Sequence, residues 1–175
     1  MLEALADARN RGVKVWLLVD GFGTARPSPE TVALIEEAGI VYSRFNPSFG
    51  RGYLLRNHQK LVVADDTVAL IGGTNIGDDY FADDPDGNSW LDLFLRVEGP
   101  AVRRLSGYFD WLRRWLLSSR PRMRAFVYIL FRRSDARGLL RWLYNGPFRR
   151  FSPLTRAIRE DIEAASKISM VYAYF

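Results

Sequence analysis

The stretch His58-Gln-Lys-Leu-Val-Val-Ala-Asp-Asp-Thr-Val-Ala-Leu-Ile-Gly-Gly-Thr-Asn75 decides the fold of this chain. It holds two short apolar runs, Lys60 to Ala64 and Val68 to Ile71, separated by Asp65-Asp66. Aspartate is favoured in tight turns, because its short side chain bonds the local backbone and tolerates left-handed conformations. Two apolar runs on either side of such a pair predict a strand–turn–strand.

The same stretch brings together residue types suited to phosphoryl transfer. Side chains alternate across a strand, so His58 and Lys60 are expected on one face. An ammonium group there could hold a phosphate while an imidazole nitrogen attacks it, and neutral imidazole is available because the ordinary pKa of histidine is about 6.5. The glycines let a backbone approach an anion, and an asparagine amide can donate to a phosphoryl oxygen. The predicted phosphate-binding residues are Lys60, Gly72, Gly73 and Asn75.

Two carboxylates complete the predicted catalytic set of His58, Lys60, Asp65 and Asp92. Asp65 falls at the turn, off the histidine face, where it would support Lys60 or the turn itself. A nucleophilic histidine also needs a partner at its second ring nitrogen. Asp92 is the best candidate, because it is an acid inside the otherwise apolar run Trp90–Val97. The alternative is an outward-facing residue on an edge strand.

Outward from this stretch, helical and strand patterns alternate, which predicts the α/β class: a mixed β-sheet flanked by helices. Asp20-Gly-Phe-Gly23 is predicted to be a loop after the first strand. It is not a dinucleotide-binding fingerprint, because the third glycine is missing. A long helix begins at about residue 101, with Leu105, Tyr108 and Leu112 facing the core. The further predictions are helices over 1–11, 29–38 and 153–165 (the last with Ser152 as N-cap), and strands over 13–19, 40–43, 90–97, 126–131 and 168–175.

Composition excludes several classes of site. The chain has 175 residues, no cysteine and one histidine, so disulfides, thiolate sites and ordinary zinc sites are excluded. No cofactor or metal is expected, because lysine, asparagine and arginine supply the positive field. The net charge is +5, with the excess between Arg103 and Arg150. This is either a solvated basic face or a surface for phosphate-bearing partners. No run approaches the roughly 20 apolar residues of a membrane-spanning helix.

The spacing H-x-K-x4-D-x6-G-G-x-N, which runs from His58 to Asn75, resembles the HKD motif of the phospholipase D superfamily. Further segments look like bacterial cardiolipin synthases: Arg11–Gly23, Phe45–Pro47, Ile76–Tyr80, Trp90-x-Asp92, Glu98–Val102 and Ala173–Phe175. The resemblance implies a phospholipase D-like half-domain. Residues 1–166 would form a first HKD domain that is truncated at its N-terminus, and residues 167–175 the first strand of a second.

The resemblance also implies a reaction. In that family the motif histidine attacks a phosphodiester and forms a phosphohistidine, and a second motif histidine protonates the leaving group. Cardiolipin synthases thereby move a phosphatidyl group to the hydroxyl of phosphatidylglycerol. By similarity, Asp92 pairs with the histidine. An anionic, phosphatidylglycerol-like phospholipid would be the substrate, at the cytoplasmic side of the cell membrane, to which the protein would bind peripherally.

Two departures leave alternatives open. Leu91 stands where the synthases usually carry arginine, and the chain has one H-x-K rather than two. A second HKD half or a homodimer partner is therefore needed. One alternative is a phosphodiesterase or nuclease completed by homodimerisation, with nucleic acid the less favoured partner. The other is an inactive fragment that binds phosphate without turnover.

Overall fold

The computed structural model describes residues 1–21, 26–45, 57–77, 80, 90–118, 123–134, 138, 140–145 and 152–171. The chain divides into two compact units, Met1–Ser119 and Arg120–Phe175. The first unit contains the elements α1 (Leu2–Asn10), β1 (Trp16–Asp20), α2 (Pro29–Glu37), β2 (Val41–Phe45), β3 (Lys60–Ala64), β4 (Val68–Gly72), β5 (Phe94–Glu98) and α3 (Val102–Leu116). The second contains α4 (Met123–Arg133) and α5 (Pro153–Ala164).

After α1, the first unit continues with a β-α-β arrangement. The strands β1 and β2 run parallel, in a register that pairs Trp16 with Val41 and Asp20 with Phe45. The helix α2 connects them and begins at Ser28, whose hydroxyl accepts the Thr31 N–H at 3.2 Å. That bond satisfies one of the free N–H groups at the start of the helix. The parallel pairing directs the carboxyl ends of both strands, including Asp20, to one edge.

Within the stretch His58–Asn75, β3 and β4 form an antiparallel hairpin, as predicted. Lys60 pairs with Gly72 at one end and Ala64 with Val68 at the other. The turn between them has positive φ at both Asp65 (49°) and Asp66 (56°). The Thr67 N–H donates to the Ala64 carbonyl at 3.1 Å, which closes a type I′ turn. The strand β5 adds to β4, so that Phe94 pairs with Gly72.

The helix α3 packs against β2, β3 and β4, and so contacts both sets of strands. Its buried residues recur every three or four positions, which is the spacing of one helical face. Leu105, Tyr108 and Leu112 are buried as predicted. Phe45 of β2 is buried as well, and its ring stacks on that of Trp115. The predicted α/β class, with parallel and antiparallel pairing and flanking helices, is confirmed.

One predicted strand is a helix. Residues 126–131 lie within α4, which runs from Met123 to Arg133. A six-residue apolar run fits a buried strand or one side of a helix equally well, and length is what separates them. Here the flanking arginines, alanine and methionine are good helix formers, and they extend the element to eleven residues.

The C-terminal predictions are met in part. The helix α5 begins after Ser152 as predicted, but the Ser152 side chain makes no capping hydrogen bond. Residues 167–171 are not in a strand, and Ile168, Met170 and Val171 are exposed. Residues 172–175 lie outside the described residues. The division at residue 166 into two HKD domains stays a prediction.

Candidate active site

His58 and Lys60 are in direct contact. The Lys60 Nζ lies 3.0 Å from the His58 Nε2 and also donates to the His58 carbonyl oxygen at 3.0 Å. His58 is exposed and sits two residues before β3 begins, while Lys60 is half-buried at the first position of that strand. The predicted shared face therefore holds, although only one of the two residues belongs to the strand.

The contact selects a histidine tautomer. An ammonium group has three donors and no acceptor, so the Lys60 Nζ donates and the Nε2 atom accepts. In neutral imidazole the proton then lies on Nδ1, and Nε2 carries the lone pair. The nitrogen in contact with the cation is thus the more nucleophilic of the two ring nitrogens.

Two opposing influences act on Lys60. Burial lowers the pKa of Lys60 below its usual value, because a charged ammonium loses hydration there. The nearby Asp92 carboxylate raises this pKa again in part. The pKa of Lys60 therefore depends in part on a carboxylate outside the hairpin.

The glycine pair makes room for the segment that enters β5. A Cβ atom at Gly73 would lie 2.7 Å from the Asp92 Oδ2, and one at Gly72 would meet the Leu93 carbonyl oxygen. Real Cβ atoms essentially never come so close, so a side chain at Gly72 would displace the segment and one at Gly73 would displace the Asp92 carboxylate. The motif predicts that both glycines allow the approach of an anion. The space beside Gly73 is taken by the Asp92 carboxylate, and anion binding there stays a prediction.

Asp92 differs from its predicted setting. It precedes β5 rather than lying within it, and residues 90–93 are all exposed. The premise of an acid inside a buried strand is therefore wrong, since the predicted strand Trp90–Val97 forms only from Phe94 onward. Its Oδ1 accepts the Leu93 N–H at 2.7 Å. Within the described residues Asp92 shares no hydrogen bond with His58, and its role as the histidine's partner stays a prediction.

Asn75 is held by an aromatic pair. Its amide donates to the Tyr80 hydroxyl at 3.2 Å. The Tyr80 ring in turn lies against that of Trp90, with centroids 6.0 Å apart. Both aromatic residues lie in segments that resemble cardiolipin synthases, but the sequence pattern predicts no role for them. The structure shows that they fix the orientation of the asparagine amide.

A residue that the sequence analysis assigns to a loop anchors the start of the site. Asp20 ends β1, and its Oδ2 accepts the backbone N–H of Asn57. The Asn57 side chain then accepts the Gln59 N–H at 3.4 Å, so the segment around His58 is tied to the parallel strands. The available signal is an acid at the carboxyl end of a parallel strand, where α/β proteins place functional residues.

Asp65 is not brought to this site. It lies beyond the far end of β3, five residues from Lys60, or about 17 Å along an extended strand. Its positive φ shows a role in the turn.

Gln59 faces away from the site and hydrogen-bonds the Tyr108 side chain of α3. Burial raises the pKa of Tyr108 to about 12, so its phenol stays protonated and serves packing.

Among the described residues, no three carboxylate or imidazole groups come together in a way that could hold a metal ion. The described helices are all too short or too polar to cross a bilayer. The site thus consists of an exposed imidazole, a cation in contact with it, a carboxylate and an anchored amide. Together with the fold, these place the chain in the class of α/β domains that present an H-x-K pair at the end of a β-hairpin.

Comparison with known proteins identifies the family. The family model described as "Cardiolipin synthase, PLD-like domain" matches residues 1–113. The chain therefore belongs to the phospholipase D-like domain family of cardiolipin synthases. No solved structure matches the chain.

Named relatives agree with the family model. A cardiolipin synthase of Halalkalibacterium halodurans is 37% identical over 115 residues, which cover 62% of this chain and 23% of the relative. One of Clostridium perfringens is 35% identical over 117 residues, covering 63% and 24%. One of Alkalihalophilus pseudofirmus is 36% identical over 115 residues, covering 62% and 23%. The matched region thus spans about a quarter of the length of these relatives.

Proposed function

We propose that this chain supplies one half of the active site of a phospholipase D-type phosphatidyltransferase that makes cardiolipin. The observation that carries the proposal is the 3.0 Å contact between the Lys60 Nζ and the His58 Nε2. The contact supports the proposal because a cation lies beside the nitrogen that would attack, and the motif around it has every residue of the family pattern. The similarity to cardiolipin synthases supports the choice of substrate class.

The proposed first step is a displacement at phosphorus. The Nε2 lone pair of His58 attacks the phosphorus of a phospholipid, and a nitrogen–phosphorus bond forms. The bond between phosphorus and the head-group oxygen breaks, and its electron pair leaves with the alcohol. That oxygen takes a proton from a general acid, which a second motif histidine would supply. In the second step a hydroxyl of phosphatidylglycerol attacks phosphorus and gives its proton to the second motif histidine, which is now a base, while the nitrogen–phosphorus bond breaks and its electron pair returns to His58.

The remaining residues have supporting roles. Lys60 would turn from the histidine to a phosphoryl oxygen when substrate binds, while the Asn75 amide donates to another. Asp92 would hold the Nδ1 proton and so stabilise the imidazole during attack. Gly72 and Gly73 leave room for the Asp92 segment, and their backbone would also approach the phosphate. Asp65 acts through the turn rather than on the substrate.

The proposal requires a partner for this half-site. The chain has one histidine, so the proton donor must come from a second HKD half or from a second copy of the chain. The substrate lies in a membrane, so the protein would work peripherally at a membrane surface, on its cytoplasmic side. In the homodimer alternative, two copies of His58 face each other and water releases the product.

The test is a search for the covalent intermediate in the full-length protein. The protein is incubated with a phospholipid labelled at phosphorus, denatured at alkaline pH, and digested. The expected label is base-stable, acid-labile and confined to the peptide with His58. His58→Asn should abolish the label and lower transfer on the order of a thousandfold or more. Because His58 is exposed, the variant should unfold at the same temperature as the parent.

Several outcomes would overturn the proposal. Unchanged transfer by the His58→Asn protein would remove the histidine from the mechanism. A gel-filtration dimer of the chain that hydrolyses phosphodiesters, without forming a new phospholipid, would favour the homodimeric hydrolase. Phosphate binding at Lys60 and Asn75 with no turnover by the full-length protein would favour the hypothesis that the chain binds phosphate but is inactive.

A further inference from the structure

The helix α4 presents a regular exposed stripe. Arg124, Tyr128 and Arg132 are spaced four residues apart and therefore lie on one face. All three are exposed, Tyr128 to 57%. From the first arginine to the second, the stripe covers nine residues, a rise of about 12 Å along the helix. We call these three residues the α4 stripe.

The surrounding sequence is unusually basic. Residues 120–150 contain nine arginines, one aspartate and no lysine or glutamate, a net charge of +8. The whole chain carries +5, so the rest of it carries −3. A solvated helix face ordinarily mixes acids with bases, but α4 has no acid. In the part of the chain that the structure describes, neither arginine of the α4 stripe forms an ion pair.

Tyr128 and Arg132 form a single unit. The Arg132 Nη1 donates to the Tyr128 hydroxyl at 2.8 Å, and its guanidinium carbon lies 5.5 Å from the centre of the ring. Guanidinium has five N–H donors, so the others stay available for an anion. The tyrosine ring is apolar with one polar tip, which suits a boundary between water and hydrocarbon.

We propose that the α4 stripe docks on the surface of an anionic lipid bilayer. Such a surface offers both partners at once: phosphates for the two guanidinium groups and an interfacial layer for the ring between them. A nucleic-acid duplex offers phosphates but no apolar layer to receive a ring from the middle of a helix face. The choice of lipid rests on the proposed function, but docking itself does not require turnover. The stripe also lies beyond residue 113, where the match to the family model ends.

The test is vesicle co-sedimentation of the chain in low salt. The vesicles are phosphatidylcholine alone or phosphatidylcholine with phosphatidylglycerol. The parent chain should bind only the anionic vesicles, and added salt should weaken the binding. Arg124→Gln with Arg132→Gln should weaken it about 25-fold, at about fivefold for each arginine near the membrane surface. Glutamine preserves helix propensity, so the variant should keep its helical circular dichroism.

The matched control removes the same charge elsewhere. Arg103 on α3 and Arg159 on α5 are exposed arginines, and Arg103→Gln with Arg159→Gln should bind within about twofold of the parent. Arg124→Lys with Arg132→Lys keeps the charge and should keep most of the binding.

Equal losses in the stripe and control variants would overturn the proposal, since binding would then follow net charge alone. Tighter binding to a mixed-sequence duplex than to anionic vesicles, lost in the stripe variant, would assign the stripe to nucleic acid. His58→Asn should leave vesicle binding intact, so failed docking and failed catalysis are distinguishable.

Discussion

At one end of the β3–β4 hairpin, Lys60 pairs with Gly72 and contacts His58, and the Asp92 carboxylate lies beside Gly73, where only glycine fits. At the other end, Asp65 and Asp66 hold a left-handed turn with no part of the site near them. Both ends belong to one spaced motif, yet the residues are required for different physical reasons. One end carries the residues of the proposed active site, and the other sets the register that aligns Lys60 with Gly72.

At the end of the hairpin that carries His58 and Lys60, the largest effect should come from Asp92→Asn. Loss of a carboxylate that orients a catalytic histidine lowers turnover on the order of a thousandfold or more. The pKa of Lys60 should also fall further, because burial still lowers it and the opposing carboxylate is gone. The alkaline limb of the rate profile of the full-length protein should then move to lower pH. Carbon NMR of the lysine side chain measures the same pKa directly.

The control for that change is Asp66→Asn at the turn end. It removes a carboxylate from the same hairpin, and asparagine also adopts left-handed backbone, so rate and profile should be unchanged. An alkaline limb that stays in place in the Asp92→Asn protein would show that this carboxylate does not act on Lys60.

A smaller effect is expected from Gly73→Ala. The added Cβ would come within 2.7 Å of the Asp92 Oδ2, so the carboxylate must move away from the site. A displacement of about 1 Å can cost a hundredfold in rate, and we expect a loss of about that size. Gly77→Ala is the matched control, because a Cβ there meets nothing within 4 Å. Similar rates for the two alanine variants would contradict the close approach of Asp92.

The smallest effect on rate should come from the turn end. Asp65→Val places a β-branched residue at a φ of 49°, which should cost about 1–2 kcal/mol of unfolding free energy. Asp65→Asn should be nearly neutral in urea unfolding, and both variants should transfer phosphatidyl groups within a few-fold of the parent. A folded Asp65→Asn protein without activity would show that the turn end is also needed for the reaction, and would contradict the separate roles of the two hairpin ends.

Local patterns predicted the hairpin well, since its strands, turn and shared His58–Lys60 face depend on residues close in sequence. The six-residue run at 126–131 was misassigned because strands and helices of that length share one apolar pattern. Asp92 was assigned a buried setting from its apolar neighbours. The adjacent Trp90, Leu91 and Leu93 are in fact exposed, and composition alone cannot show which apolar residues find a partner.

Local sequence patterns do not predict the contacts of the site that depend on the tertiary fold. The hydrogen bond from Asn57 to Asp20 spans 37 positions, and its existence depends on the parallel pairing of β1 and β2. The bond from Asn75 to Tyr80 is short in sequence, but the placement of the tyrosine depends on the Trp90 ring. Each requires the tertiary fold before the pair can be recognised.

The Asp20–Asn57 bond limits how far the motif can be moved between proteins. A hairpin of residues 57–75 grafted onto another scaffold would carry the histidine, the lysine and both glycines. It would leave behind the acceptor that fixes its first backbone N–H and the carboxylate that fills the space beside Gly73. A graft that also includes Asp20 and the Trp90–Phe94 segment is therefore the smallest unit expected to keep the geometry of the original site.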